Sequence, residues 1–221
     1  MRVALGLLAG VVFGTATSVV NNVPGLLGEV GQAHTEDSAA TWTAIFVSLI
    51  LDSGWAWAAL AFVLGWVTGT HPRPRVALVV AAVTAAGGLL AATLAYYATD
   101  VLFGIDAYAR IVSYWLVRAV VFGLALGVAG ALARRPGLTG LLALLTIPAG
   151  AAANLIVFPL RNGLPGESSA AGWAEAAVWS LAAAGVVLAV LRYARNRHSG
   201  CGAAGLAGRR AELPMKGTST D

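Results

Sequence analysis

The feature that most constrains this chain is its succession of apolar blocks, each about 20 residues long and nearly free of charge. A helix of that length, rising about 1.5 Å per residue, crosses a hydrocarbon core about 30 Å thick. A soluble fold would have to hide these blocks beneath polar residues, and the chain has too few. Of its 221 residues, 58% are hydrophobic and 11% charged, with a mean hydropathy of +0.79, where a soluble domain carries about 25% charged residues. The short alternating segments of a β-barrel do not occur. The expected fold class is all-α, a polytopic transmembrane helical bundle.

The blocks predict six spans: Val3 to Val20, Ser53 to Gly69, Val76 to Thr99, Tyr108 to Ala133, Leu138 to Phe158 and Trp173 to Tyr193. They form one transmembrane domain over 1–194. The polar, Gly-rich, basic stretch 195–221 reads as a disordered cytoplasmic tail. The segment Ser38 to Leu51 is apolar but too short to span, so it is interfacial or re-entrant. The first block also fits a signal peptide with a small-x-small site near Ala16. Its basic region is a single arginine, and its glycine pattern suits a packed helix better.

Charge sets the orientation. Of the 14 Lys and Arg, all but Arg110, Arg118 and Arg161 fall before span one, in the loops after spans two and four, or after span six. Of the ten acids, all but Glu212 and Asp221 fall toward the opposite side. The positive-inside rule then puts both termini in the cytoplasm and explains the pI of about 9.7 without nucleic acid. Aromatic residues concentrate in the outer half, as an interfacial belt or as the lining of an outward cavity.

Two ladders of small residues recur at four-residue spacing: Gly6, Gly10, Gly14 and Ser18 in span one, and Ala119, Gly123, Gly127 and Ala131 in span four. Positions four apart share a helix face, and small residues there let backbones approach. The ladders predict that spans one and four pack on each other, with Gly65 and Gly69 a shorter version in span two. "AGVVFGTA" and "RAVVFGLA", in spans one and four, also allow a 3+3 inverted repeat, a recurrent transporter plan.

A few polar residues stand in or beside the spans. Asp52 separates two apolar runs. In "DSG" it or Ser53 caps the next helix, or both residues face a vestibule beside Trp55 where a broken helix lines a cavity. Arg118 lies about 15 Å into span four. At that depth it should face the bundle, either as half of a buried ion pair or as an anion-binding or gating residue. Asp100, after "YYAT", reads as solvated at the outer end of span three. In "TIPAGAAANL", Pro148 removes a helix hydrogen bond and Asn154 offers a donor and an acceptor. The candidate ligand-binding residues are Asp52, Trp55, Tyr96, Tyr97, Trp115, Arg118 and Asn154.

Catalytic and metal motifs are missing. The sequence contains no HExxH, Walker loop or GxSxG, its single cysteine, Cys201, lies in the tail, and His34, His71 and His198 all lie outside the apolar blocks. No catalytic residue, metal or cofactor is expected, and an enzyme is disfavoured.

"VVFGTATSVVNN", "LDSGWAWAALAFVLGW", "AYYATD" and "RRPGLTGLLALLTIPAGA" together resemble a family of small multi-pass membrane proteins from high-GC actinobacteria, "LDSGWAW" being the most specific piece. The resemblance implies a bacterial plasma-membrane protein and brings no activity with it. Two functions remain open. One is a small-solute binder or transporter using an outward polar-aromatic pocket, for an ion or small molecule. The other is a structural or accessory subunit acting through helix packing or its tail, on a membrane partner or a second copy. A polar cavity reaching Arg118 distinguishes the first from the sealed, fully paired core of the second.

Overall fold

The computed structural model describes residues 2–26, 39–160 and 169–211, with side chains described for 2–23, 39–160 and 169–197. The described residues form seven helices: α1 (Arg2–Leu26), α2 (Ala39–Leu51), α3 (Gly54–Thr68), α4 (Pro74–Leu102), α5 (Ala109–Leu132), α6 (Leu138–Val157) and α7 (Ser169–Ala211). Five of them (α1, α4, α5, α6 and α7) are long and apolar enough to cross a membrane, and α2 with α3 makes a sixth if that bent pair counts as one span. The two helices of the pair meet at 58° across the break at Asp52 and Ser53. The short apolar segment before Asp52 is therefore a helix in its own right. Helix α7 runs to Ala211, past the boundary at Arg195 where a disordered tail was expected. The expected outer loop carrying Glu29, Glu36 and Asp37 lies outside the described residues.

Helix α4 is the central element. It packs most densely against α1 and α5 and also meets α3, while α6 and α7 pair with each other and join the rest through α2, α3 and α5. The small-residue ladders explain this, though not as their spacing suggested. Gly10 and Gly14 of α1 lie against the backbone of Gly88 and Ala92, where any Cβ would collide with a carbonyl oxygen. On the other side of α4, a Cβ on Gly123 of α5 would stand 2.5 Å from the Ala86 Cα, and one on Gly127 2.5 Å from the Ala81 carbonyl.

The expected contact between the two ladders is thus corrected: α1 and α5 do not touch, and each packs on α4. A ladder requires only that some backbone come close. The Ala-rich, Gly-containing run 81–92 gives α4 a slim surface on both sides. Gly65 and Gly69 of α3 face Gly127 and Ala131 of α5, so α5 is shared between two neighbours. Ala119 lies in the core formed with Ala61, Leu64, Ala85 and Leu89. The two halves of the chain also pack differently. The dense α1–α4 contact has no counterpart between α5 and α7, the helices an inverted repeat would match to them.

Candidate functional site

The break between α2 and α3 organises the acidic end of the bundle. Helix α3 starts at Gly54 with Ser53 as its cap residue, in extended backbone (φ −70°, ψ 139°). The expected capping bond is not made. The Ser53 hydroxyl donates instead to the Ile50 carbonyl at 2.6 Å, and the Asp52 amide donates to Ser48 at 2.8 Å. Both bonds satisfy the last carbonyls of α2, which a helix end leaves open. Asp52 is exposed and sits beside Asn21 of α1.

Asn21 ties three helices together. Its amide nitrogen donates to the Tyr96 hydroxyl on α4 at 3.0 Å, and its amide oxygen accepts from Ser48 on α2. One turn away, Ser18 donates to Asp100 at 2.6 Å and Asn22 donates to the same oxygen at 3.1 Å. Asp100 is only 8% exposed, which corrects the expectation of a solvated acid. Ser18, expected to serve packing alone, is a hydrogen-bond donor. Asn21, Asn22 and Ser48 were missed by sequence reasoning. The available signal was the i, i+3, i+4 spacing of Ser18, Asn21 and Asn22, which puts three polar side chains on one face of the last turns of α1.

Beside this network, α3, α4, α5 and α6 enclose a cavity of about 610 Å³. All seven candidate residues line it: Asp52 from the break, Trp55 from the first turn of α3, Tyr96 and Tyr97 from α4, Trp115 and Arg118 from α5, and Asn154 from α6. The aromatic wall is continuous, with Trp57 6.1 Å from Tyr96 and Tyr96 5.3 Å from Tyr97, both edge-on. On the α6 side, Gly150 faces open space, with nothing within 4 Å of the position its Cβ would take. Pro148 lies inside α6 without ending it.

Arg118 is half-buried and has no carboxylate partner among the described residues. Its guanidinium carbon stands 3.5 Å from the centroid of Tyr114, one turn earlier on α5, and 5.5 Å from that of Trp115. The two rings hold the cation by attraction to their π faces. They occupy its flat face and leave its N–H edges unused, since it makes no other polar contact among the described residues. Of the two readings of Arg118, the buried ion pair is not formed among the described residues: none of Asp52, Asp100 and Glu175 pairs with it. The Trp55 indole nitrogen is buried without a hydrogen-bond partner, and the Asn154 side chain makes no hydrogen bond among the described residues. Among those residues no group of three or more His, Cys, Asp or Glu could hold a metal ion.

The fold is that of a multi-pass helical protein with helices suited to a membrane, and its candidate site is an aromatic cavity bearing hydrogen-bond donors that the protein itself does not satisfy. A scan of known family models and searches of curated proteins and solved structures found no match to this chain.

Proposed function

We propose that this chain is a six-span protein of a bacterial plasma membrane, with both termini in the cytoplasm, that binds and carries a small solute in the cavity lined by Asp52, Trp55, Tyr96, Tyr97, Trp115, Arg118 and Asn154. The orientation follows from the distribution of arginines, and the bacterial membrane from the resemblance to actinobacterial proteins. One observation carries the binding reading. Arg118 and Asn154 line one cavity, and among the described residues neither side chain has a hydrogen-bond partner; Trp55, whose buried N–H also lacks one, lines the same cavity. A guanidinium and an amide lining one cavity with their donors uncommitted favour an occupant that supplies acceptors. A volume of about 610 Å³ falls in the usual range for small-molecule pockets, about 300–1,000 Å³. The favoured solute is a compact aromatic or aliphatic body bearing a carboxylate or another strong acceptor, its body against the Trp and Tyr rings and its acceptor on Arg118.

The test is thermal unfolding of the purified protein in detergent against organic acids, amines, inorganic ions and vitamins, with Asp52→Asn and Arg118→Gln beside the wild type. A solute at 100 times its dissociation constant stabilises the folded state by about 2.7 kcal/mol. A shift with organic acids that disappears in Arg118→Gln supports the proposal. Stabilisation by no compound in the panel would sink it and turn attention to an accessory role with a protein partner.

A further inference from the structure

A second cavity, of about 770 Å³, lies between α3, α6 and α7 and shares only Trp55, Ile147 and Ala151 with the first. Its lining runs along α7 from Val178 to Arg195, a rise of about 25 Å at 1.5 Å per residue. The walls are apolar over most of that length. Leu181 and Leu188 stand at the rim, 56% and 67% exposed, so the groove is open on the surface a hydrocarbon phase would cover. Its charged side chains are gathered at one end, where Arg192 and Arg195 lie three residues apart, about one helix turn.

That end is built. The Arg192 guanidinium carbon lies 4.6 Å from the Trp66 centroid, and Nη2 donates to the Arg134 carbonyl at 3.4 Å. The Arg134 guanidinium in turn donates to the Trp66 carbonyl at 3.2 Å. Two like charges are thus brought together on rings and carbonyls, and neither makes an ion pair among the described residues. Arg192, held by its flat face, retains N–H edges of the kind that bind phosphate oxygens. A free anion would answer the arginines and leave the groove empty. A neutral lipid would fill the groove and leave Arg192 without an anion.

We propose that this groove is a seat for one anionic phospholipid, with an acyl chain lying along α7 between α3 and α6 and the phosphate on Arg192. The site is separate from the solute cavity, and its test reads lipid retention alone. The full-length protein is exchanged into nanodiscs of phosphatidylglycerol mixed equally with phosphatidylcholine, released into detergent, and its retained lipids identified by native mass spectrometry. Wild type retains phosphatidylglycerol at least tenfold over phosphatidylcholine, and Arg192→Gln loses that preference. Should Arg192→Gln fail to fold, Leu181→Trp, which fills the groove from its exposed rim, is expected to shed the bound phosphatidylglycerol. Equal retention of both lipids by wild type overturns the proposal, as does an undiminished preference in the folded variant. A third arm adds inorganic phosphate at millimolar concentration. Retention undiminished by phosphate is expected; loss of the lipid to phosphate alone would show that the headgroup contact accounts for the binding and that the groove contributes no seat for a chain, which overturns the proposal.

Discussion

Arg118 lies directly over the ring of Tyr114, its guanidinium carbon 3.5 Å from the ring centroid, with no carboxylate bound to it among the described residues. The two side chains are one turn apart on α5, so the helix itself supplies the clamp. The arrangement decides what removing the charge does. Breaking a buried ion pair strands its partner and costs about 3–5 kcal/mol, whereas an aromatic clamp contributes about 0.5–2 kcal/mol. Arg118→Gln is expected to unfold within about 2 kcal/mol of the wild type in detergent denaturation. A loss of about 4 kcal/mol would mean that a carboxylate is paired with Arg118 after all and that its role is structural.

Gly10 and Gly150 give a matched pair of substitutions. A Cβ on Gly10 would collide with the Gly88 carbonyl of α4, and one on Gly150 would enter open space. Gly10→Ala should therefore separate α1 from α4 and cost about 1–3 kcal/mol, as overpacking does. Gly150→Ala removes the flexibility of glycine in a helix without a clash, and should be neutral or stabilising by up to about 1 kcal/mol. Equal effects at the two sites in an unfolding titration would show that the α1–α4 seam is looser than described.

Much of this was legible in the sequence, for reasons that differ by element. The long apolar helices follow from block length alone, because the bilayer admits few alternatives. The break at Asp52 was visible because a charge between two apolar runs has to end something. The seven residues that line the cavity were singled out because aromatic and polar side chains in or beside a span are few. Helix partners were not legible. Gly14 requires a near backbone, but nothing in its own segment says whether that backbone is Ala92 of α4 or Gly123 of α5. Nor was the burial of Asp100, since an acid at the end of a span is ordinarily wet. Ser18 and Asn22, remote in sequence, are what shelter it.

The Ser18–Asp100 bond, 2.6 Å long and buried, couples the ends of α1 and α4 as the glycine seam couples their middles. Bonds to a charged acceptor are worth about 1.5–3 kcal/mol in water-soluble proteins, and side-chain bonds within membranes average about 0.6 kcal/mol. A double-mutant cycle of Ser18→Ala with Asp100→Asn is expected to give a coupling of about 0.5–2 kcal/mol. Zero coupling would mean that Asn22 alone satisfies the carboxylate. The Asn22→Ala cycle, run in parallel, should then carry the whole effect.

Asn21 makes the most mechanical of these predictions. Its amide is bonded on one side to Ser48 of α2 and on the other to Tyr96 of α4, and Asp52 sits beside it. Replacing Asn21 with leucine keeps the bulk and removes both bonds. The central bundle has no reason to open, because α1 remains packed on α4 through Gly10 and Gly14. What loses its tether is the hinge between α2 and α3, whose remaining local bonds are those from Asp52 to Ser48 and from Ser53 to Ile50. Local opening of a segment with few contacts is cheaper than global unfolding. Asn21→Leu should therefore speed amide hydrogen exchange across residues 48–53 about tenfold, a change of about 1.4 kcal/mol in opening free energy, with α4 and α5 unchanged. Acceleration spread evenly over α1, α4 and α5 would show that Asn21 supports the whole bundle. No acceleration anywhere would show that Asp52 and its own helix ends hold the break without it.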